Sequence, residues 1–308
     1  LIVILGPTAS GKTQLATQLA FHINGEIISA DSRQVYRGMT IGTGKDLGEY
    51  TVEGEPIPYH LIDILDAGEK YNVSRFQQDV AEAIIQIESR THVPILCGGT
   101  GLYIQAVLNN HQYTSVPVDE AVRAELEVHS HEVLVQLLNE NPSEYSTLAD
   151  TSTRKRTIRA IEIARYLRDN PLFQLPEAKP LEYTIFGLNP PVELRRKRIT
   201  RRLLERLKNG LVEEVKGLLE QGISAEQLIY YGLEYKFVTG YLQGFYAYDE
   251  MVSKLETEIH RFAKRQMTYF RKMERDGLPI HWLDNSHRPD QWLHTILSTL
   301  NQPGFSHE

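Results

Sequence analysis

The sequence predicts an α/β fold: a parallel sheet flanked by helices, interrupted by a helical insertion and completed by a helical C-terminal region. Three observations carry that expectation. A continuous apolar run at the start (LIVIL) leads at once into a glycine-rich turn and then into a segment of helical period. Short apolar runs continue to alternate with helical stretches up to residue 108, the pattern that builds parallel βαβ units. From about 115 to 180 the strand signal fades, and turn formers such as Asn141-Pro142 and Asn170-Pro171 separate helical stretches. The chain therefore divides into 1–114, the first part of the core; 115–180, the insertion; and 181–308, which returns to the sheet and ends in helices.

Taken in order, Leu1 to Leu5 reads as a buried strand. Gly6-Pro7-Thr8-Ala9-Ser10-Gly11-Lys12-Thr13 fits G-x-x-x-x-G-K-[ST], placed between that strand and an amphipathic helix over 12–23. Leu15, Ala16, Leu19, Ala20 and Ile23 share one face of the helix. Each part of the motif has a physical task. Gly6 and Gly11 let the backbone curl so that several N–H groups meet one anion, and the new helix adds the positive end of its dipole. Lys12 brings a point charge to the terminal phosphates, and the Thr13 hydroxyl is placed to hold Mg²⁺. The core is thus P-loop NTPase-like and implies a di- or triphosphate ligand.

Glu26 to Ala30 is a second buried strand, ending at Asp31-Ser32-Arg33-Gln34. Glycines and prolines crowd residues 37–59, the mark of a long functional loop. His60 to Ile64 reads as a short strand. Ser74 is placed to cap a helix reaching about 90, with Phe76, Val80, Ile84 and Ile87 on its buried stripe. Val93 to Cys97 is the next strand, followed by Gly98-Gly99-Thr100-Gly101 and a helix to about 108. Ligands gather at the carboxyl ends of parallel strands, so the phosphate loop, Asp31 and Gly98 to Thr100 should converge. Beyond the insertion, Glu182 to Leu188 returns to strand. Residues 192–272 are mostly helical, with breaks at Gly210, Gly222, Gly232 and Gly244. His281 to Leu283 is a last strand, and a helix covers 289–300.

The composition, 41% hydrophobic and 24% charged over 308 residues, is that of an ordinary globular protein. No apolar stretch approaches the roughly 18–20 residues that span a bilayer, so no membrane partner is expected. The opening at Leu1, inside a strand, implies that the native N-terminus lies upstream. The single cysteine, Cys97, excludes an internal disulfide and a cysteine-based zinc site, and suits a reducing cytoplasm. A net charge of −7 argues superficially against nucleic acid. Its distribution argues otherwise. Residues 195–208 carry eight basic side chains among fourteen, while 154–168 and 261–275 each carry six among fifteen. One such helix is usually a solvated face; three in an acidic chain point to a surface that tracks phosphates.

A phosphate loop alone does not choose among hydrolysis, phosphoryl transfer and departure of a diphosphate. Asp31, at a strand end near the bound polyphosphate, is open to three readings: a general base, a second-sphere Mg²⁺ ligand, or a capped turn. Asp63 is the nearest candidate for a Walker B carboxylate, and a weak one. The wider pattern is more specific. GPTASGKT, DSRQVYRGMTIGTGK, PYHLIDI and PILCGGTGLYIQAVL, followed by Asp150 with RTIRAIEI, NGLVEEV and FAKRQMTYFR, resemble the tRNA dimethylallyltransferases, or tRNA isopentenyltransferases, in order and over nearly the whole chain.

That resemblance implies a reaction: dimethylallyl diphosphate gives its five-carbon group to the N6 amine of the adenine beside the anticodon, and diphosphate leaves. It makes Gly6 to Thr13 the diphosphate site, Asp31 the acceptor of the amine proton, Thr100 a hydroxyl at the reaction centre, and Lys12 part of the catalytic set. Asp31, Ser32, Arg33, Gln34, Thr100, Arg123, Lys155, Arg156 and Arg159 match positions that contact the tRNA anticodon stem-loop. Mg²⁺ on Thr13, a cytoplasmic location and a monomer complete the expectation. The chain departs from the family pattern where Gly44-Lys45-Asp46 replaces Ala-Lys-Pro and where Tyr269 replaces a tryptophan. The usual Gly-Tyr-Lys-Glu stretch is altered across Tyr231 to Lys236, as in a divergent bacterial branch. The cysteine-histidine zinc module of eukaryotic members is absent. The rival reading is a P-loop small-molecule or nucleoside kinase, with 154–159 as an arginine lid; further rivals are an RNA binder without prenyl chemistry and an enzyme acting on free adenine nucleotides.

Overall fold

A computed structural model describes residues 1–177, 180–284 and 289–300. In chain order the strands are β1 (Ile2–Leu5), β2 (Gly25–Ala30), β3 (Thr51–Val52), β4 (Glu55–Pro56), β5 (Tyr59–His60), β6 (Val93–Gly98), β7 (Thr184–Gly187) and β8 (Ile280–Trp282). The helices are α1 (Lys12–Ile23), α2 (Val73–Ser89), α3 (Gly101–Leu108), α4 (Glu120–Leu126), α5 (His131–Glu140), α6 (Arg154–Asp169), α7 (Val192–Lys208), α8 (Leu211–Glu220), α9 (Ala225–Tyr230), α10 (Leu233–Leu242), α11 (Tyr248–Arg275) and α12 (Pro289–Leu300). The chain divides into two compact units, one of Leu1–Leu108 with Leu181–Glu308 and one of Asn109–Pro180.

The first unit holds a six-stranded sheet in the order β5-β2-β6-β1-β7-β8, parallel throughout, so the expected α/β fold is what forms. Alternation along each strand fills both faces. Val3, Leu5, Ile28, Leu96 and Ile185 face one core with α2, α7, α8, α10 and α11. Ile2, Ile4, Ile27, Ile95 and Phe186 face the other with α1 and α12. A sheet covered on both faces leaves open the carboxyl ends of its strands.

Two local expectations need correction. The strand expected at His60 to Ile64 is only Tyr59–His60, because Leu61 (φ 62°) and Asp63 (φ 56°) adopt left-handed backbone that no extended strand accommodates. The cap of α2 is Asn72, whose side chain accepts from the Arg75 amide at 3.0 Å, and not Ser74. The breaks between α7 and α11 fall at the expected glycines, of which Gly210, Gly222, Gly232 and Gly244 all have positive φ.

The second unit is helical among its described residues. Leu126, Leu134, Leu138, Ile158, Ile161 and Ala164 from α4, α5 and α6 form its core.

Candidate active site

A cleft of about 1040 Å³ opens in the first unit at the ends of β1, β2 and β6. Thr8 to Thr13 form one wall, Asp31 to Gln34 and Gly98 to Leu102 others. Gly6 and Pro7 lie buried at the base of the phosphate loop. Gly11 has φ +91°, which a side chain would strain. Backbone meets backbone closely between β2 and β6, where a Cβ on Gly98 would fall 2.2 Å from the Ala30 carbonyl oxygen. Only glycine lets the two strand ends bring Asp31 and Thr100 together.

Lys12 lies in this cleft, and burial lowers the pKa of its ammonium; Arg202 acts in the same direction, while Asp31 opposes it. The Cys97 thiol behind it is pushed up to about 12 by burial, so it is a neutral wall. Asp31 accepts the Arg33 amide at 2.8 Å, which fixes the turn after β2. Thr100 accepts the Ser32 amide at 3.4 Å and donates its own amide to Ala30 at 3.2 Å, tying the two strand ends. Gln34 accepts from the Ser29 hydroxyl at 2.8 Å and donates to the Gly44 carbonyl at 2.9 Å, so its amide holds the loop over 40–46. Lys12, Thr13, Asp31, Ser32, Arg33, Gln34 and Thr100 thus share one cleft. Asp63 does not line it. Its carboxylate pairs with the buried Lys45, whose ammonium also donates to the Tyr36 carbonyl at 2.7 Å.

Several residues of the site carry no motif of their own. Along α7, Arg198, Arg202 and Arg206 recur every four residues and turn towards the phosphate loop and the loop over 40–46, while Arg196 and Lys197 face outward. Arg198 donates to the Ser10 carbonyl at 3.2 Å, and Arg202 to the Thr8 hydroxyl at 3.4 Å and to the Asp46 carboxylate. Arg206 pairs with Glu234 at 3.4 Å. Burial lowers the Arg206 pKa and raises that of Glu234. Gln266 on α11 accepts the Thr8 amide at 2.9 Å and donates to the Gly99 carbonyl at 2.9 Å, bridging two walls. Glu214 accepts the amides of Thr40, Ile41 and Gly42 at 2.9, 2.7 and 2.9 Å, and the Tyr235 hydroxyl at 2.8 Å. The helical period of the basic run 195–208 could have shown which arginines share a face. Gln266 lies inside FAKRQMTYFR, but that stretch does not identify its partners, which lie 167 and 258 residues away.

The remaining predicted residues lie in the second unit. Arg123 and Arg159 converge on the buried Glu162, at 3.1 and 2.5 Å. Arg159 also donates to the Val116 and Pro117 carbonyls, so much of its donor capacity is used inside the unit. Arg156 pairs with Asp150 at 2.9 Å and remains exposed, as does Lys155.

Comparison with known proteins fits this geometry. A family model described as IPP transferase matches residues 34–273, and one described as isopentenyl transferase matches residues 1–55. A tRNA dimethylallyltransferase 2 of Bacteroides fragilis is 51% identical over 305 residues, covering 98% of both chains. One of Porphyromonas gingivalis is 51% identical over 307 residues, covering 99% of this chain and all of its own. The crystal structure of a tRNA isopentenylpyrophosphate transferase from Bacillus halodurans superposes with a TM-score of 0.70 at 33% identity, over 97% of this chain and 94% of that one. A eukaryotic dimethylallyltransferase acting on tRNA gives 0.78 at 26% identity, over 97% and 77%.

Proposed function

We propose that this chain, which belongs to the tRNA dimethylallyltransferase family, transfers a dimethylallyl group from dimethylallyl diphosphate to the N6 amine of the adenine beside the anticodon of tRNA. The observation that carries the reading is that an anion-binding loop and the Asp31 carboxylate open onto one cleft. A kinase is not favoured, since the similar proteins are dimethylallyl or isopentenyl transferases.

The chemistry follows from the two walls. Backbone N–H groups at the helix end of the phosphate loop, the Lys12 ammonium and the inward arginines of α7 hold the diphosphate of the donor. As the allylic C–O bond breaks, negative charge grows on the departing diphosphate, and these fixed donors stabilise it there. The adenine amine is a weak nucleophile because its lone pair is delocalised into the ring. It therefore needs to be held in line with the allylic carbon and to lose a proton as the C–N bond forms. Asp31 takes that proton, and the Thr100 hydroxyl keeps the Asp31 turn in register. The base leaves its stack to reach the cleft. Lys155 and Arg156, with Arg123 and Arg159 as more constrained neighbours, supply backbone contacts to the anticodon stem-loop.

The residues fit a magnesium ion. No group of three acidic, histidine or cysteine side chains among the described residues could cage a metal. Mg²⁺ asks for less: it keeps several waters and takes one or two protein oxygens plus phosphate oxygens. The Thr13 hydroxyl, beside the loop and in the same cleft as Asp31, meets that need. When bound, the ion would neutralise charge on the leaving diphosphate. No described helix is long and apolar enough to cross a membrane. A tRNA substrate argues for a cytoplasmic enzyme, which the free thiol of Cys97 suits, and we take it to act as a monomer.

Supplying the protein with dimethylallyl diphosphate, ATP, unmodified tRNA and free AMP separates the readings. Prenylated tRNA is expected. Phosphorylated product, or prenylation of AMP in preference to tRNA, would overturn the assignment.

A further inference from the structure

The wall of the cleft opposite the phosphate loop carries a side chain that the chemistry above does not use. Tyr230 ends α9 with 55% of its surface exposed, on the rim of the cleft. Its placement is enforced by its neighbours. A capping box between Ser224 and Gln227 starts the helix, and Leu228 is fully buried. Tyr231 is buried too, packed edge-on to Tyr36 with ring centroids 4.6 Å apart, and its hydroxyl accepts the Gly68 amide. With Leu228 and Tyr231 anchored, Tyr230 is left standing in solvent. One face of its ring is covered by the Arg33 guanidinium, 4.5 Å from the ring centroid. The Arg33 amide is the one bonded to Asp31 at 2.8 Å. The Tyr230–Arg33 pair therefore lies within one arginine side chain of the group assigned as the base.

A planar phenol more than half exposed, backed by a guanidinium that forms no ion pair among the described residues and steadied edge-on by the Tyr231 ring 5.8 Å away, has a definite chemistry. Unstacked RNA bases lie on tyrosine rings and on arginine planes, because every base offers a π-face. The cation behind the ring adds electrostatic attraction and keeps it flat against the wall. Arg198, Arg201 and Lys236 line the same cleft and give the charge that draws in a phosphate backbone.

We propose that Tyr230, backed by Arg33, is the stacking platform for an unpaired base next to the reacting adenine, and so sets how the RNA loop is opened. This rests on the tRNA reading of the cleft. The target base goes towards Asp31; its neighbour, displaced from the same stack, lies on the Tyr230 ring. The platform acts on RNA binding and leaves the chemical step to Asp31 and the phosphate loop.

The test compares wild type with Tyr230→Ala, Tyr230→Phe and Tyr230→Trp in the full chain, with thermal melting to confirm that each folds. Anticodon stem-loops carry the fluorescent base 2-aminopurine at single positions flanking the target adenine. Wild type, Phe and Trp variants should quench one flanking position on binding. Tyr230→Ala should lose that quench and raise the RNA KM by about tenfold or more, as loss of one base–aromatic stack does. Its kcat at saturating RNA and its KM for dimethylallyl diphosphate should stay at wild-type values. An Ala variant with unchanged RNA KM and unchanged quench overturns the proposal, as does an effect confined to the donor KM, which would make Tyr230 part of the diphosphate side. Failure of wild type to prenylate any RNA would instead strike at the function itself; the fluorescence assay reads stacking independently of turnover.

Discussion

In the proposed reaction Asp31 and Lys12 divide the work of the cleft between proton and phosphate, and that division can be measured. Asp31→Asn keeps the acceptor of the Arg33 amide, so the turn survives, but the amide no longer takes a proton. Its kcat should fall by about a hundredfold or more, within the range of a lost general base, with tRNA affinity unchanged. Lys12→Ala should show the opposite split, raising the KM for dimethylallyl diphosphate while tRNA binding stays intact. Steady-state kinetics on both substrates check the pair; equal effects on both KM values would contradict the assignment. At this scale the sequence was readable where a residue type is tied to a local motif, as at Gly6 to Thr13, Asp31 and Thr100. Gln266 and Glu214 fall inside FAKRQMTYFR and NGLVEEV, yet those stretches do not say what the two side chains bind. Their roles come from hydrogen bonds to segments more than 160 residues distant, and nothing in the neighbouring sequence records such a partner.

Among the elements, α7 and α8 explain how a loop rich in glycine holds one shape. The Glu214 carboxylate of α8 gathers three successive amides of the loop, a site an anion would otherwise fill. A Cβ on Gly42 would fall 2.5 Å from the Tyr235 ring beneath, so the loop also packs closely. Glu214→Ala removes the common acceptor of four donors. It should cost about 2 kcal/mol, allowing for water replacing part of the bonding, and should lower kcat/KM because Gly44 in this loop is held by Gln34. Urea melting and turnover together check this, and a variant with wild-type melting would show the clamp to be redundant. Element types were legible because apolar period follows secondary structure closely here. Apolar spacing extends the short strand at Tyr59–His60 too far, since it does not reveal left-handed backbone at Leu61 and Asp63. The cap of α2 was misplaced because Asn72 and Ser74 are both good capping residues two positions apart.

For the whole molecule, charge is the organising property. The acidic total of −7 hides basic segments on particular helices, and these divide into different jobs. The inward arginines of α7 face the phosphate loop, whereas Lys155 and Arg156 of α6 face solvent. The sequence showed the runs; only the fold distributes their members between cleft and surface. Reversing Lys155 and Arg156 to Glu should weaken tRNA binding and reduce the slope of log Kd against log salt by about one for each phosphate no longer engaged, with the donor KM unmoved. An unchanged slope would place the RNA backbone elsewhere. Away from the cleft, Glu26 near the start of β2 holds Arg90 at 2.8 Å and the His60 and His92 rings at 2.6 and 2.7 Å. Burial alone would raise its carboxyl, but the hydrogen bonds from Arg90, His60 and His92 outweigh it and hold the pKa down at about 2. A folded-state value below the ordinary 4.5 stabilises the fold above that pH, and the contribution is lost as pH falls from about 4.5 towards 2. Acid melts of Glu26→Gln should be flatter than wild type across that interval; parallel curves would show the cluster to be neutral.

The most direct test of the central claim is mass analysis of nucleosides from a tRNA incubated with the protein and dimethylallyl diphosphate. The account predicts one five-carbon group on N6 of the adenine beside the anticodon and one diphosphate released per transfer. An unmodified adenine with the donor intact, or the group on another atom or nucleotide, would contradict it.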